Sequence, residues 1–177
     1  MQQQLISTKF AYIEKSIKIF ISLLANNQTF LRYLLNDNDY PLEFEYYDDN
    51  GTLISQPDYP MPYPLIENKT VLLTLFNPNI ITDAKVYTFF SHLDFHSNEK
   101  SANIEHVFVM DIVIPYFSVQ IGDKLRNARI CDEICKCLDN QSVADIGRVF
   151  IDRGGNYIVN DVYQGTKLFI KADNRRF

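Results

Sequence analysis

Three histidines and an aspartate come nearest to the spacing of a metal site. His92 and His96 are four residues apart with Asp94 between them, and His106 follows ten residues later. On a helix, two imidazoles at this spacing would share one face, as metal ligands often do. The surrounding residues do not favour a helix, so we interpret the histidines as residues of a loop or a strand end and predict no metal site.

Three cysteines form a second group that could bind zinc or take part in redox chemistry. Cys131, Cys135 and Cys137 all fall on one predicted helix, and there is no second group elsewhere to complete a four-ligand site. We predict that they are small buried hydrophobic residues. Because cysteines confined to one helix cannot form a disulfide framework, we expect the chain to fold in a reducing compartment.

Carboxylates crowd the segment after the second predicted helix, at Asp37, Asp39, Glu43, Glu45, Asp48 and Asp49. The run from Asp48 to Gly51 superficially resembles a calcium-binding loop. The alternating oxygen ligands and the downstream bidentate glutamate of such loops are missing. We therefore predict a solvated acidic rim, whose charge suits a basic partner.

Enzyme signatures are absent from the sequence. It contains no GxGxxG, GxxxxGK[ST], HExxH or GxSxG motif, and no histidine is placed to activate a cysteine or serine nucleophile. We predict no catalytic residue, no cofactor-binding residue and no cofactor. A small metal-binding protein or enzyme that uses His92, His96 or the cysteines is the alternative from another class.

The composition predicts a single domain over residues 1–177, with enough apolar material for one core: 46% of the residues are hydrophobic and 14% aromatic. Acidic residues outnumber basic ones by 22 to 17, and no block of Lys and Arg stands out, which argues against a nucleic-acid-binding surface. The N-terminal sequence MQQQLISTKF lacks the basic and apolar regions of a signal peptide, and no membrane span is predicted.

The N-terminal third predicts two helices and a hairpin. Apolar residues recur on one face between Thr8 and Leu24, and Asn26 and Asn27 can cap a second, shorter helix that ends at Leu35. An Asp-Asn-Gly turn signal between EFEYY and Thr52–Ile54 predicts a β-hairpin.

A segment rich in proline and tyrosine, at about residues 56–64, is predicted to be a projecting or clamping loop. Alternating prolines favour an extended conformation and cannot enter the interior of a sheet. We expect that this insertion is not needed for the core and supplies subunit or partner contacts. The candidate contact residues in it are Gln56, Tyr59, Met61 and Tyr63.

The rest of the chain predicts strands around one helix. Strands are predicted at Val71–Phe76, Val86–Phe90, Val107–Ile114, Val149–Asp152 and Tyr157–Asn160, and the helix at Asp123–Asp139. The apolar run Val107–Ile114 is typical of a strand covered on both faces. We predict a loop at Ser91–Asn103 and a tight reversal at the paired glycines of Arg153–Asn156.

Three segments are informative in their order and texture: LLANNQTFLRYLLNDNDYPL (Leu23–Leu42), IEHVFVMDIVIP (Ile104–Pro115) and DKLRNARICDEICKCLDNQSVADIGRVFIDRGGNYIVND (Asp123–Asp161). In these segments the chain resembles the neck or tail-completion proteins of tailed bacteriophages. It implies an α+β fold like that of tail terminators, with a mixed, mainly antiparallel sheet, N-terminal helices and one later helix packed on a face. The minimal version of that fold lacks the insertion at about residues 56–64.

The same resemblance implies a virion structural protein at the head-tail junction, made in the host cytoplasm, that forms a homo-oligomeric ring joining the tail to the capsid connector. Its expected partners are copies of itself and other neck, portal-adaptor or tail-tube and sheath proteins, while DNA passes through the channel without specific binding and no membrane is involved. A head-proximal neck adaptor or another virion structural protein is the alternative. We expect Ser91–Asn103, with His92 and His96, to make further subunit or partner contacts, and the acidic rim to face outward or toward the channel.

Overall fold

Three helices and ten strands make up the part of the chain that the structure, a computed structural model, describes: residues 2–36, 38, 40–43, 45–47, 49–55, 57–97, 103–143 and 146–175. The helices are α1 (Gln2–Ala25), α2 (Gln28–Leu35) and α3 (Arg126–Leu138). The strands are β1 (Glu45–Tyr47), β2 (Leu53–Ser55), β3 (Val71–Leu72), β4 (Tyr87–Ser97), β5 (Asn103–Pro115), β6 (Gln120–Ile121), β7 (Lys124–Leu125), β8 (Gln141–Val143), β9 (Gly147–Ile158) and β10 (Tyr163–Arg175).

Six strands form the main sheet, in the order β3-β4-β5-β10-β9-β8. Every neighbouring pair is antiparallel except β3 and β4, which run parallel. Strands β1 and β2 form a separate hairpin, as do β6 and β7. The mixed, mainly antiparallel sheet of the predicted α+β fold is therefore confirmed.

The three helices cover one face of the sheet, here called the helix face. Phe20 of α1 lies edge-on to Phe108 of β5 and to Phe90 of β4, with ring centroids 5.3 and 6.0 Å apart. Ile130 and Ile134 of α3 are fully buried in the same core. Burial of these apolar stripes is the main force that holds the layers together, since each fully buried Phe or Ile contributes roughly 1.5–3 kcal/mol.

Local capping sets the boundaries of the helices. The Asn27 side chain accepts a hydrogen bond from the Phe30 amide at 3.0 Å, which confirms the predicted start of α2. Helix α1 begins earlier than predicted, at Gln2. Helix α3 begins at Arg126 and not at Asp123, because Lys124 and Leu125 pair with β6 to form β7.

The central strand β5 is buried on both faces, as the sequence predicted. Every residue from Val107 to Ile114 is buried. The face opposite the helices is here called the bare face, because none of the three α-helices packs on it. Around Val113 this face is covered by the segment that connects β3 to β4. Phe76 of that segment lies edge-on to Phe89 of β4, with ring centroids 5.2 Å apart, and forms a second, smaller apolar cluster around Val113.

The predicted loop at Ser91–Asn103 is wrong for the residues that the structure describes. Strand β4 continues through Ser97 and pairs with β5 along its length, with a bulge at Leu93. Polar side chains are frequent in this part of β4, because β3 flanks the strand only at Thr88 and Phe89, and the bulge at Leu93 breaks the two-residue period. The segment therefore reads as a loop in the sequence although its backbone is extended.

The predicted reversal at Arg153–Asn156 is also wrong. These residues lie inside β9, and neither Gly154 nor Gly155 has a positive φ. A β-carbon on Gly154 would lie 2.7 Å from Leu168 Cδ2, so the glycine permits close packing and not a turn. The chain reverses instead after Ile158, where the Asn160 side chain accepts hydrogen bonds from two backbone amides of the turn.

The predicted strand at Val71–Phe76 is confirmed only at its first two residues. Beyond Leu72 the chain leaves the sheet edge and crosses the bare face as the segment described above. The predicted β1–β2 hairpin is confirmed, and Gly51 in its turn has a φ of 76°, which glycine adopts without strain.

Candidate functional site

The proline-rich segment packs against α2 over Asp58–Tyr63. The Gln28 side chain bonds both the amide and the carbonyl of Tyr59, at 3.1 and 2.6 Å. The Tyr59 hydroxyl donates to Asn36 Oδ1 at 2.5 Å, and the buried Arg32 guanidinium pairs with Asp58 at 2.8 Å. The segment predicted to project is therefore held against α2, because its extended backbone leaves groups free to bond the helix. That the core does not need the segment stays a prediction.

The predicted contact residues of this segment have different environments. Tyr59 and Tyr63 are half-buried against the core, with their rings edge-on at 5.5 Å. Met61, between them, is 48% exposed, and Gln56 lies outside the described residues. Of the predicted contact residues that the structure describes in this segment, Met61 is therefore more exposed than Tyr59 and Tyr63.

The histidines are divided between the two faces of the sheet. His92 points to the helix face, where its Nε2 lies 3.3 Å from Nδ1 of the buried His106, and the Tyr12 ring of α1 lies tilted against the His106 ring with their centroids 4.3 Å apart. Burial lowers the pKa of His92, an effect that the nearby Asp94 partly opposes. His96 points to the bare face and pairs with Asp94 at 3.4 Å. The two candidate ligands His92 and His96 therefore cannot bind one ion.

The cysteines lie half-buried along α3. Burial, with a smaller contribution from the neighbouring Cys135, raises the pKa of Cys131 to about 12, and burial also raises the pKa values of Cys135 and Cys137. These thiols therefore stay protonated at neutral pH, which makes them weak nucleophiles and weak metal ligands. Within the ranges that the structure describes, no group of three or more His, Cys, Asp or Glu side chains could hold a metal ion.

A buried polar cluster lies on the bare face of β5 and its neighbours. Asp111, only 2% exposed, accepts a hydrogen bond from the Tyr157 hydroxyl at 2.9 Å, and the Lys167 ammonium lies 3.6 Å away. Burial raises the pKa of Asp111, while the bond from Tyr157 and the charge of Lys167 lower it; burial together with Asp111 also raises the pKa of Tyr157. The Phe76 ring packs edge-on against Tyr157 at 5.8 Å.

A glycine makes this cluster possible. Tyr157 of β9 reaches Asp111 of β5 across the intervening strand β10, over Gly165. A β-carbon on Gly165 would lie 2.2 Å from Tyr157 Cζ, so any other residue would displace the ring. Carboxyl, hydroxyl and ammonium groups of this kind occur in active sites, but here the carboxyl is buried away from solvent. The cluster instead links the strands β5, β9 and β10. In the sequence, the single aspartate in the apolar run Val107–Ile114 is the feature that could have indicated it.

Arg126 is a second buried polar residue that the sequence analysis missed. Its guanidinium is fully buried and donates to the carbonyls of Ser118, Tyr33, Asn36 and Asn38. The carbonyls after the last turn of α2 favour a cation. Arg126 thus ties the end of α2 to the start of α3, and a basic residue at the beginning of a predicted helix gave no indication of this role.

The acidic rim is only partly described. Glu43 and Asp49 are exposed, whereas Asp37, Asp39 and Asp48 lie outside the described residues.

Exposed apolar residues gather at one end of the sheet, where β5 ends and β9 turns into β10. The Tyr116 amide donates to the Val162 carbonyl at 2.9 Å, which holds the two connections together. Phe117, which follows Tyr116 in the chain, and Ile158, the last residue of β9, are 68% and 79% exposed. We call Tyr116, Phe117, Ile158 and Val162 the apolar end. Apolar side chains grouped in this way on a surface are typical of a contact site.

Among the residues that the structure describes, no helix combines the length and apolar character that crossing a membrane requires.

No curated protein matches the chain. Among solved structures, the chain is similar to one from the virion of a native gene transfer agent particle, at 12% identity and a TM-score of 0.38, with 61% of this chain and 80% of that chain covered. The family model named YomW matches residues 27–172. Because this match spans most of the sequence, the chain belongs to the YomW family, a phage-type protein family.

Proposed function

We propose that this protein is a virion structural protein that assembles with copies of itself into a ring at the head-tail junction of a phage-type particle. Its membership of a phage-type family supports the virion role. The observation that carries the proposal is the apolar end, where Phe117 and Ile158 are mostly exposed, whereas the Asp111–Tyr157 cluster is closed to solvent. A surface of this kind suits contact with another protein better than it suits turnover of a small molecule.

The sheet gives such a subunit a rigid wall. Strands β5 and β10 pair over thirteen residues and β4 and β9 flank them, so that the four long strands form one continuous ladder of hydrogen bonds. Cyclic symmetry repeats one contact until the ring closes, so each subunit needs only one complementary pair of surfaces. The net charge of −5 suits a channel through which DNA slides without being held.

The proposal is tested by the mass and shape of the purified full-length protein. Light scattering after size-exclusion chromatography should give a fixed multiple of the protomer mass over a range of concentrations, and negative-stain images should show closed rings. The variant Phe117→Ser should weaken the assembly, while Tyr47→Ser, at an exposed position of the β1–β2 hairpin, should leave it intact. A single protomer at high concentration, or turnover of a substrate, would contradict the proposal.

The position within the particle is a separate question, which labelling resolves. Antibody or gold labelling of particles that carry a tagged copy should mark the junction between head and tail. Label elsewhere on the virion would favour a different structural role in the same particle.

A further inference from the structure

The outer edge of β9 is open over its second half. Strand β8 pairs with β9 only at Gly147–Val149, and the Asp139 side chain then accepts a hydrogen bond from the Ile151 amide at 2.9 Å. Beyond the bulge at Asp152, no hydrogen bond joins the outer backbone edge of Arg153–Ile158 to any other part of the chain that the structure describes. The chain therefore satisfies this edge as far as Ile151 and leaves it open beyond.

The direction of the open backbone groups follows from the register of β9 and β10. The Val159 amide donates to the Tyr163 carbonyl, so these two residues are a hydrogen-bonded pair. Because such pairs alternate along an antiparallel ladder, the backbone groups of Gly154, Asn156 and Ile158 point away from β10. They form a row of three donors and three acceptors that another strand can satisfy.

This edge lacks the usual protection against strand pairing. Natural sheets protect their edges with prolines, lysines, bulges or covering segments. The residues Arg153–Ile158 contain no proline and no lysine, and the bulge lies before them. Gly154 and Gly155 have no side chain to shield the backbone, and Ile158 at the end of the row is 79% exposed. A strand added here would cover both open backbone groups and apolar surface.

The row is complementary to a copy of itself. When two β9 edges meet antiparallel around a two-fold axis at Asn156, Gly154 of each copy faces Ile158 of the other, and the two Asn156 residues face each other. These three facing pairs form two hydrogen bonds each, six in all. An axis moved by one residue in either direction leaves only two facing pairs within the row. The register centred on Asn156 is therefore the one that satisfies the whole row.

The apolar side chains fit this register. Ile158 and Gly154 lie on the helix face of the sheet, since they are separated from Asn156 by two residues each. A β-carbon on Gly154 would lie 2.7 Å from Leu168 Cδ2, so the buried Leu168 occupies the space above this glycine. Ile158 of the second copy would thus meet Leu168 across the glycine and lose its exposure to water.

The charges fit the same register. Arg153 is the charged residue of the row; its guanidinium lies over the Phe169 ring at 4.5 Å and has no carboxylate partner among the described residues. With the axis at Asn156, Arg153 faces Val159 of the second copy. The exposed Asp161 follows two residues later, within reach of a long side chain. The two-fold axis repeats this pair, so charge favours a second copy over an unrelated strand.

We propose that the open edge of β9 joins two copies of the protein around a two-fold axis at Asn156, so that their six-stranded main sheets become one continuous sheet. This contact closes on two copies and does not build the ring, so it goes beyond the proposed function. Phe117, which follows β5, is separated from the β9 edge by β10 and stays available for the ring contact. Acting together, the two contacts would place two rings face to face.

The register predicts which cysteine substitution forms a cross-link. In full-length Asn156→Cys, the two facing Cα atoms would lie about 5.5 Å apart, inside the range of a disulfide. In Ile158→Cys they would lie roughly 14 Å apart, outside that range. Under mild oxidation with copper phenanthroline, a non-reducing gel should show the Asn156→Cys dimer forming at least about tenfold faster than the Ile158→Cys dimer, because only the first pair meets the distance requirement. The wild type, whose three native cysteines lie half-buried on α3, should form no dimer band.

A second variant separates the copies without a new cysteine. Gly155→Glu adds a side chain where no heavy atom lies within 4 Å of the new β-carbon, and Lys167 faces this position on β10. In the pair, the two added carboxylates would lie diagonally across the axis, on residues about 7–8 Å apart, and would repel each other. Light scattering after size-exclusion chromatography should give half the wild-type mass, while circular dichroism and thermal unfolding show a folded protein. Tyr47→Glu, on the exposed hairpin, should keep the wild-type mass.

Two results would overturn the inference. Equal rates of cross-linking for Asn156→Cys and Ile158→Cys would mean that random collisions, and not a fixed register, form the dimers. A wild-type mass for folded Gly155→Glu would mean that this edge joins no copies. If the wild type still forms rings in either case, the proposed function stands without this contact. If Asn156→Cys cross-links as expected and the wild type forms dimers but no rings, the contact stands and the ring fails.

Discussion

Replacing Tyr157 by phenylalanine tests whether the buried cluster on the bare face stabilises the fold. The change removes the hydroxyl that donates to Asp111 at 2.9 Å and keeps the ring that lies over Gly165 and against Phe76. The carboxyl then loses its closest donor, and the half-exposed Lys167 at 3.6 Å remains. The experiment therefore isolates one hydrogen bond to a buried charge.

The expected cost follows from the type of bond. A hydrogen bond to a charged group contributes about 1.5–3 kcal/mol to the free energy of unfolding. For a domain of this size each kcal/mol lowers the melting temperature by about 2–4 °C, so the variant should melt about 3–12 °C lower at neutral pH. Tyr47→Phe, which removes an exposed hydroxyl, should change the melting temperature little.

The cost should also depend on pH. Burial raises the pKa of Asp111, so the folded state binds more protons than the unfolded state between the two pKa values, and this carboxyl lowers stability as pH rises through that window. The bond from Tyr157 lowers the folded pKa, so Tyr157→Phe should raise it and widen the window. The difference between wild type and variant should be small in acid, where the carboxyl is protonated, and should grow as pH rises.

Urea unfolding at a series of pH values, followed by circular dichroism, measures both effects. A difference below about 0.5 kcal/mol at neutral pH, smaller than a typical buried hydrogen bond, would refute the reasoning. A difference that stays constant as Asp111 titrates would show that the hydroxyl does not act through this carboxyl.

Three further predictions follow from the same contacts. Gly165→Ala should destabilise the protein more than Tyr157→Phe, because the added β-carbon would displace the Tyr157 ring. Gly155→Ala, where the added β-carbon meets no atom within 4 Å, should be nearly neutral in the same thermal melts. Burial lowers the pKa of His92 in the folded state, so its contribution to stability should fall as pH drops through the unfolded value near 6.5, and His92→Gln should flatten that fall in urea unfolding. Tyr59→Phe should cost about 1 kcal/mol in the same assay, through the lost bond to the C-cap of α2; a neutral result would mean that the proline-rich segment is held without it.

Elements fixed by local signals were predictable from the sequence. Residues within the element itself account for the amphipathic face of α1, the Asn27 cap of α2 and the apolar run of β5. The structure confirms all three. The Asp-Asn-Gly hairpin belongs to the same class. In each case neighbouring residues determine the conformation, and no distant contact overrides them.

Elements fixed by distant contacts were not predictable. Gly154 resembles a turn residue until Leu168 is seen beside it, and Leu93 becomes a bulge only because β5 pairs with β4 on both sides of it. Tyr59 belongs to the core because Gln28, far away in sequence, binds its backbone. The candidate contact surface shares this property, since Tyr116 and Val162 meet only after β5 and β10 have paired.

The position of β10 has a consequence for synthesis of the protein. It is the last of the described strands in chain order, yet it lies between β5 and β9 in the middle of the sheet. Until Tyr163–Arg175 has left the ribosome, the apolar strand β5 has one unsatisfied side in the nascent chain, and such intermediates aggregate readily. Productive folding therefore has to wait for almost the whole described sequence, and translation that stalls before Tyr163 should yield insoluble product or chains held by chaperones.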